Sequence, residues 1–265
     1  LAKITIGYIL EKYLFIMENI ESAERPQFLF ADQFILEDSA NVDFYALLLK
    51  GLTHKLNNLL AVIQGFSSLI LMDEGLEETT AENLTHMKDA AINASKLSER
   101  ILPAAGCSQV STQDLQISEY LPMVADSLKK PFNAAGIPIN IKCPAGIPPI
   151  AADPSRLKDI FLELLTNAAE AAAEAGGQAS FEIYKPGQFS SASENRVDIL
   201  VRNSGTVIAN ENMAKIWEPF YSSKNSQHLG IGLTTAAVLA TQMNMKLGVH
   251  SADNVTTFWL SGPVA

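Results

Sequence analysis

The sequence predicts an α+β chain: an antiparallel helical hairpin that pairs with a second copy as a four-helix bundle, followed by an α/β sandwich. Three observations predict it. Leu49, Leu52, Leu56, Leu59, Ile63, Phe66 and Ile70 are spaced alternately three and four residues apart, the period of a helical seam. A second stripe at Leu84, Met87, Ala91, Ala94, Ser98 and Ile101 follows a turn at Asp73, Glu74 and Gly75, and two helices on a short loop make a hairpin. Beyond residue 111 helical and alternating segments mix without repeating, which fits one sheet with helices covering a face.

Each element follows in order. Residues 1–40 form an N-terminal segment, a helix over about Ile4–Ile20 and then an irregular acidic stretch around Pro26 and Asp38. Glu11, Lys12 and Glu18 interrupt the apolar run of that helix, so it does not read as a membrane span, which needs about 20 largely uncharged residues. The hairpin occupies 41–105, its first helix stopping near Gly75 and its second before Pro103. A hairpin alone leaves its apolar seam half covered, so a homodimer through that seam is expected. Small residues from Ala104 to Ser111 form a linker into a domain over 106–265. There a helix capped by Ser118 runs to Ala135, and a strand follows over 137–142. Asp153 with Pro154 behind it is an N-cap with proline at the first helical position, and Gly176-Gly177 stops the helix they open. Strands are expected at 179–184, 196–202, 246–250 and 255–260, with a helix after Gly230.

Composition narrows the function. A formal net charge of -10 on 265 residues, with no basic stripe, argues against a nucleic-acid partner. Cys107 and Cys143 are the only cysteines, with no CxxC, so a structural zinc site is not expected and a reducing, cytoplasmic setting is.

One residue on the first helix carries chemistry. With Leu49 at heptad position a, His54 falls at f, furthest from the seam. A solvated imidazole on a rigid element is a nucleophile near neutral pH. The run Thr53-His54-Lys55-Leu56-Asn57-Asn58-Leu59-Leu60, with Gly65 beyond it, resembles the phosphoacceptor box of sensor histidine kinases. The resemblance implies that His54 accepts phosphate and that Asn58, one turn on, orients water or a partner's aspartate during phosphate removal. The family usually has an acidic residue after the histidine; Lys55 stands there instead. Lysine cannot accept a hydrogen bond and its charge opposes imidazolium build-up.

The second domain extends the likeness. Asp153–Leu157 and Phe161–Ala168 resemble the N box of the family's Bergerat-type ATPase domain, with Glu163, Asn167 and Glu170 at i, i+4 and i+7 on one helix face. By that resemblance Asn167 would hold Mg²⁺ and triphosphate oxygens, with Glu163 near the metal or the catalytic water. Ile216–Lys224 resembles the F box, and Leu229-Gly230-Ile231-Gly232-Leu233 the second glycine box, whose amides would cradle phosphate. Lys224, Gly230 and Gly232 are therefore candidate nucleotide contacts.

Departures cluster at this site. The first glycine box should open on an aspartate that accepts from the adenine amino group; here it reads Asn203-Ser204-Gly205-Thr206-Val207. Asn203 and Gly205 remain candidate contacts, but a lost charged hydrogen bond is worth about 1.5–3 kcal/mol. Val207 and His228 replace glycines, and only Asn225-Ser226-Gln227 separate Lys224 from His228 as a lid. A degenerate nucleotide site, partly filled around Asn167, is the expectation. Three functions stay open: a histidine phosphotransferase exchanging phosphate between His54 and a response-regulator receiver domain with weak or no Mg-ATP binding, an ATP-dependent autokinase, and a non-enzymatic dimeric scaffold.

Overall fold

A computed structural model describes residues 28–31, 39–73, 75–190, 195–223 and 229–265. The expected N-terminal helix at 4–20, Pro26 and Asp38 lie outside them, as do Glu74, Lys224, His228 and the lid residues 225–227.

Helix α1 spans Ser39–Ile70 and helix α2 spans Glu78–Ala104, and the two pack as an antiparallel hairpin. The residues of α1 that face α2 are not the leucine stripe. Thr53, Leu60 and Ser67 are buried, Asn57 and Gln64 are half-buried between them, and Gln64 Nε2 donates to Ser95 Oγ at 3.1 Å. This polar, small-residue stripe also repeats at three and four. The apolar stripe turns outward: Leu52, Leu59 and Phe66 are 55%, 64% and 61% exposed. A single hairpin thus satisfies its inner face and leaves the expected seam bare.

Two boundaries in this region differ from expectation. Helix α2 continues through Pro103 to Ala104. The proline sits in the last turn, where the amide of Cys107 still reaches Leu102 O, so the ring removes little hydrogen bonding. Helix α1 ends at Ile70, five residues before Gly75, and Asp73 Oδ1 accepts from the Gly75 amide to close the turn.

The remaining chain forms a six-stranded mixed sheet and three helices. The strands are β1 (Leu29–Phe30), β3 (Ile139–Lys142), β5 (Ala179–Tyr184), β6 (Arg196–Ser204), β7 (Lys246–Ala252) and β8 (Val255–Pro263), in spatial order β1-β7-β8-β6-β5-β3. All neighbours pair antiparallel except β3 with β5. A separate ribbon joins β2 (Gln113–Leu115) to β4 (Ile150–Ala152). Helices α3 (Ile117–Ala135), α4 (Pro154–Ala175) and α5 (Gly232–Gln242) cover one face.

Helix α4 has the ends its sequence specifies. Asp153 Oδ1 accepts from the amides of Ser155 and Arg156, Pro154 occupies the first turn, and Gly176 takes the left-handed conformation at the C-terminus. Helix α3 begins differently from expectation. Its cap is Gln116, whose amide nitrogen donates to Ser118 Oγ and to Ile147 O. Ser118 is inside the first turn, recruited as an acceptor.

Both faces of the sheet are covered. Towards the helices, Phe181, Ile183, Val197, Ile199, Val201, Phe258 and Leu260 meet Phe161, Leu164 and Leu165 of α4. Burying each such side chain contributes roughly 1.5–3 kcal/mol. The opposite face carries buried polar groups that are paired. Asp198 accepts from Trp259 Nε1 and the Ser190 amide, and Arg196 donates to Ser261 and to Asn244 O. Phe28, Phe30 and Phe189 pack over Trp259 with ring centroids 5.1 to 6.1 Å away.

Candidate functional site

His54 sits near the middle of α1, with Thr53 buried against α2 and His54, Lys55 and Asn58 all exposed on the outer surface. Four residues is one helical turn, and this spacing brings Asn58 Nδ2 to 3.3 Å from His54 Nδ1. The second ring nitrogen, Nε2, is left pointing away from this contact. What Nδ1 bonds decides which nitrogen carries the proton, and the two ends of an amide exchange by rotation. With the amide oxygen turned to Nδ1–H, Nε2 holds a bare lone pair.

The second group of candidates lies on α4. Glu163, Asn167 and Glu170 are half-buried along one face, while Leu164, Leu165, Ala168 and Ala169 fill the core from the other. Asn203 continues the inward series Val197, Ile199 and Val201 of β6, so its side chain projects to the helix-covered side. It is 3% exposed, and its Nδ2 has no hydrogen-bond partner. Gly205 follows at the end of β6, where a Cβ would stand 2.8 Å from Ala171 O of α4. Only glycine allows that approach. Val207, two residues on, is 39% exposed.

The second glycine segment packs on the stretch 216–223. Trp217 is buried and its carbonyl accepts from Thr234 Oγ1 of α5 at 2.9 Å. Gly230 has φ +64, and a Cβ there would meet Tyr221 O at 2.4 Å. Gly232 opens α5, and a Cβ on it would lie 2.3 Å from Glu163 Oε2. The Glu163 carboxylate therefore rests against the N-terminal end of α5, the end of a helix that attracts anions. Its other oxygen accepts from Arg100 Nη2 of the hairpin at 2.7 Å.

Sequence reasoning missed Arg100. No local pattern marks it, since its partner is 63 residues away and the pair exists only once the hairpin folds back on the domain. A second tie runs beside it, from Gln242 Nε2 of α5 to Gly106 O at 2.8 Å.

Local charge sets two carboxylates apart. Burial opposes ionisation of Asp153, but the amides of Ser111, Arg156 and Ser155 and the Arg156 charge outweigh it and hold the carboxyl below the usual range. Burial likewise opposes ionisation of Glu182 on β5, and the Tyr184 hydroxyl with Arg202 and Lys142 more than offsets it. In return burial and the Glu182 hydrogen bond push Tyr184 up to about 12. Clefts of about 530 and 470 Å³ lie along β3, lined by residues such as Lys142, Tyr184 and Leu121; neither includes Asn167. Among the described residues no cluster of His, Cys, Asp and Glu could hold a metal ion, and no helix is long and apolar enough to cross a membrane.

A sheet with helices on one face, an Asn-bearing helix and a glycine-flanked helix start make up an α/β sandwich. Residues 152–265 match the Histidine kinase-, DNA gyrase B-, and HSP90-like ATPase family. The sensory histidine kinase/phosphatase NtrB of Rhodobacter capsulatus is 26% identical over 221 residues, 81% of this chain and 61% of that protein. Sporulation kinase E of Bacillus subtilis is 21% identical over 215 residues, 81% of this chain and 28% of that protein. Among solved structures, full-length ShkA in complex with AMPPNP aligns with a TM-score of 0.67 at 24% identity, covering 82% of this chain and 46% of that one. Histidine kinase ThkA in complex with response regulator TrrA aligns with a TM-score of 0.56 at 18% identity, covering 86% of this chain and 64% of that one. The chain is similar to sensor histidine kinases in sequence and in fold, a helical N-terminal region followed by a domain like the Bergerat-type ATPases. It spans between about a quarter and three fifths of the length of the curated relatives named here.

Proposed function

We propose that this chain is a two-component signalling protein that exchanges a phosphoryl group between His54 and the aspartate of a response-regulator receiver domain, with weak or absent Mg-ATP binding. The observation that carries the reading is the exposed imidazole whose Nδ1 faces Asn58. In the transfer, Nε2 attacks the phosphorus of an aspartyl phosphate, the P–N bond forms as the P–O bond breaks, and the receiver carboxylate leaves. Asn58 holds the tautomer that leaves Nε2 nucleophilic. Lys55 lies beside the incoming phosphoryl group and favours its negative charge. The bare leucine stripe of α1 supports a homodimer, since a four-helix bundle would cover it.

The nucleotide site departs from its cofactor at the purine end. There the buried Asn203 amide presents an unpaired donor where the adenine amino group needs an acceptor. At the phosphate end, the Glu163 carboxylate already lies against Gly232. Arg100 pairs with that carboxylate and compensates its charge, so the case for weak binding rests on the purine end. ATP, where bound, would supply the phosphoryl donor; Asn167 and the α5 amides would hold it, with Mg²⁺ on Asn167.

The autokinase is the second reading, supported by the shared face of Glu163, Asn167 and Glu170 and by the two glycines of the α5 segment. A scaffold without chemistry is the third. Thermal shift with millimolar Mg-ATP separates the first two, because a ligand that binds the folded state must raise its stability. No shift is expected; a shift of several degrees would favour the autokinase. Incubation with an acetyl-phosphate-charged receiver should give acid-labile label on the wild type and none on His54→Ala. Label retained in that variant overturns the role of His54, and no label on either supports the scaffold.

A further inference from the structure

We propose that Phe28–Ala31 is a detachable strap, an edge strand that ties the segment ahead of the hairpin to the ATPase sheet and limits how far the domain moves from the hairpin. The strap pairs antiparallel with β7, Leu29 opposite Val249 and Phe30 opposite Gly248. Two ladder positions hold it weakly, so its seat depends on packing. Phe28 lies 5.1 Å from Trp259, 5.9 Å from Phe189 and 6.0 Å from His250, and Phe30 lies 5.3 Å from Trp259. Ala31 is 2% exposed.

Gly248 is shaped to receive it. A Cβ there would meet Phe28 Cβ at 3.1 Å, Leu29 O at 3.3 Å and Phe30 Cδ1 at 3.4 Å, all atoms of the strap. The three atoms nearest to where that Cβ would stand all belong to the docked segment.

The topology gives the strap its consequence. From Ala31 the chain enters α1 at Ser39, traverses the hairpin, and returns to the same domain through Gly106. With the strap seated, both ends of the hairpin are fastened to one body. Eight peptide steps reach at most about 29 Å, so any posture that carries the β7 edge farther than this from Ser39 requires the strap to leave. A pull arriving from residues 1–27 acts first on this strand, and so on the ATPase sheet before the hairpin. The proposal stands apart from the reading of His54, and its readouts involve no phosphate.

The test uses the full chain with Cys107 and Cys143 replaced by serine. Phe28→Ala with Phe30→Ala loosens the strap while leaving every residue of 106–265 unchanged, and Gly248→Val evicts it from the sheet side. Hydrogen exchange across residues 246–252 should rise at least tenfold in both. The distance distribution between spin labels on Asp73→Cys and Asp253→Cys should broaden in both. Unchanged exchange in either variant overturns the strap, and faster exchange with an unchanged distance distribution overturns the tether.

Discussion

The hairpin and the sheet domain bury apolar surface in opposite ways. The sheet is closed on both sides, by α3, α4 and α5 on one face and by an aromatic and ion-paired layer on the other. The hairpin turns a polar stripe inward and keeps Leu52, Leu59 and Phe66 in water. One region closes its apolar surface within a single chain; the other leaves an apolar stripe exposed. The difference separates buried from exposed apolar surface, and five variants test the separation.

The largest effect is expected in the closed region. Phe161→Ala removes a fully buried ring that meets Phe181 edge-on at 5.1 Å, and should cost about 3–5 kcal/mol in chemical denaturation with no change in oligomeric state. Leu59→Asp with Phe66→Asp should do the reverse. We expect at least a hundredfold weaker dimer by sedimentation, about 2.7 kcal/mol, with the sheet domain melting where it did. A monomeric wild type would break the comparison.

Asp153→Ala strips three amides of their acceptor and should cost about 1 kcal/mol. Acid should reveal the same chemistry. Asp153 and Glu182 both have folded-state values below their unfolded ones, so their contribution is present above the ordinary carboxylate range. It is lost as the pH falls through the lower folded values. Glu182→Gln should flatten that acid limb in melts between neutral pH and about pH 3. The smallest effect belongs to Arg100→Ala. An exposed ion pair is worth at most about 1 kcal/mol, so stability should barely move. The open question is affinity: freeing Glu163 from Arg100 should leave Mg-ATP binding equal or weaker by calorimetry, since the carboxylate then stands uncompensated at Gly232.

Much of the fold was legible because its signals are local. Asp153-Pro154 and Gly176 bound α4 by backbone chemistry alone, and β5 appears over 179–184 as its alternation requires. The heptad spacing gave the helix but not its inner face, because Thr53, Leu60 and Ser67 repeat with the same period as the leucines. The rest needed distance in sequence. β1 is two residues whose partners lie some 220 positions on, and β2 and β4 are three each, too short for a pattern. At the site, the helix face of Glu163, Asn167 and Glu170 was legible from spacing, while the Arg100 contact was not.

Gly248 has a use outside this molecule. Its missing side chain is the mould of the two phenylalanines that cover it, so the letter at this register forecasts whether a chain of similar architecture carries the upstream fastening at all. A branched residue there would mark a chain whose catalytic body hangs from one thread.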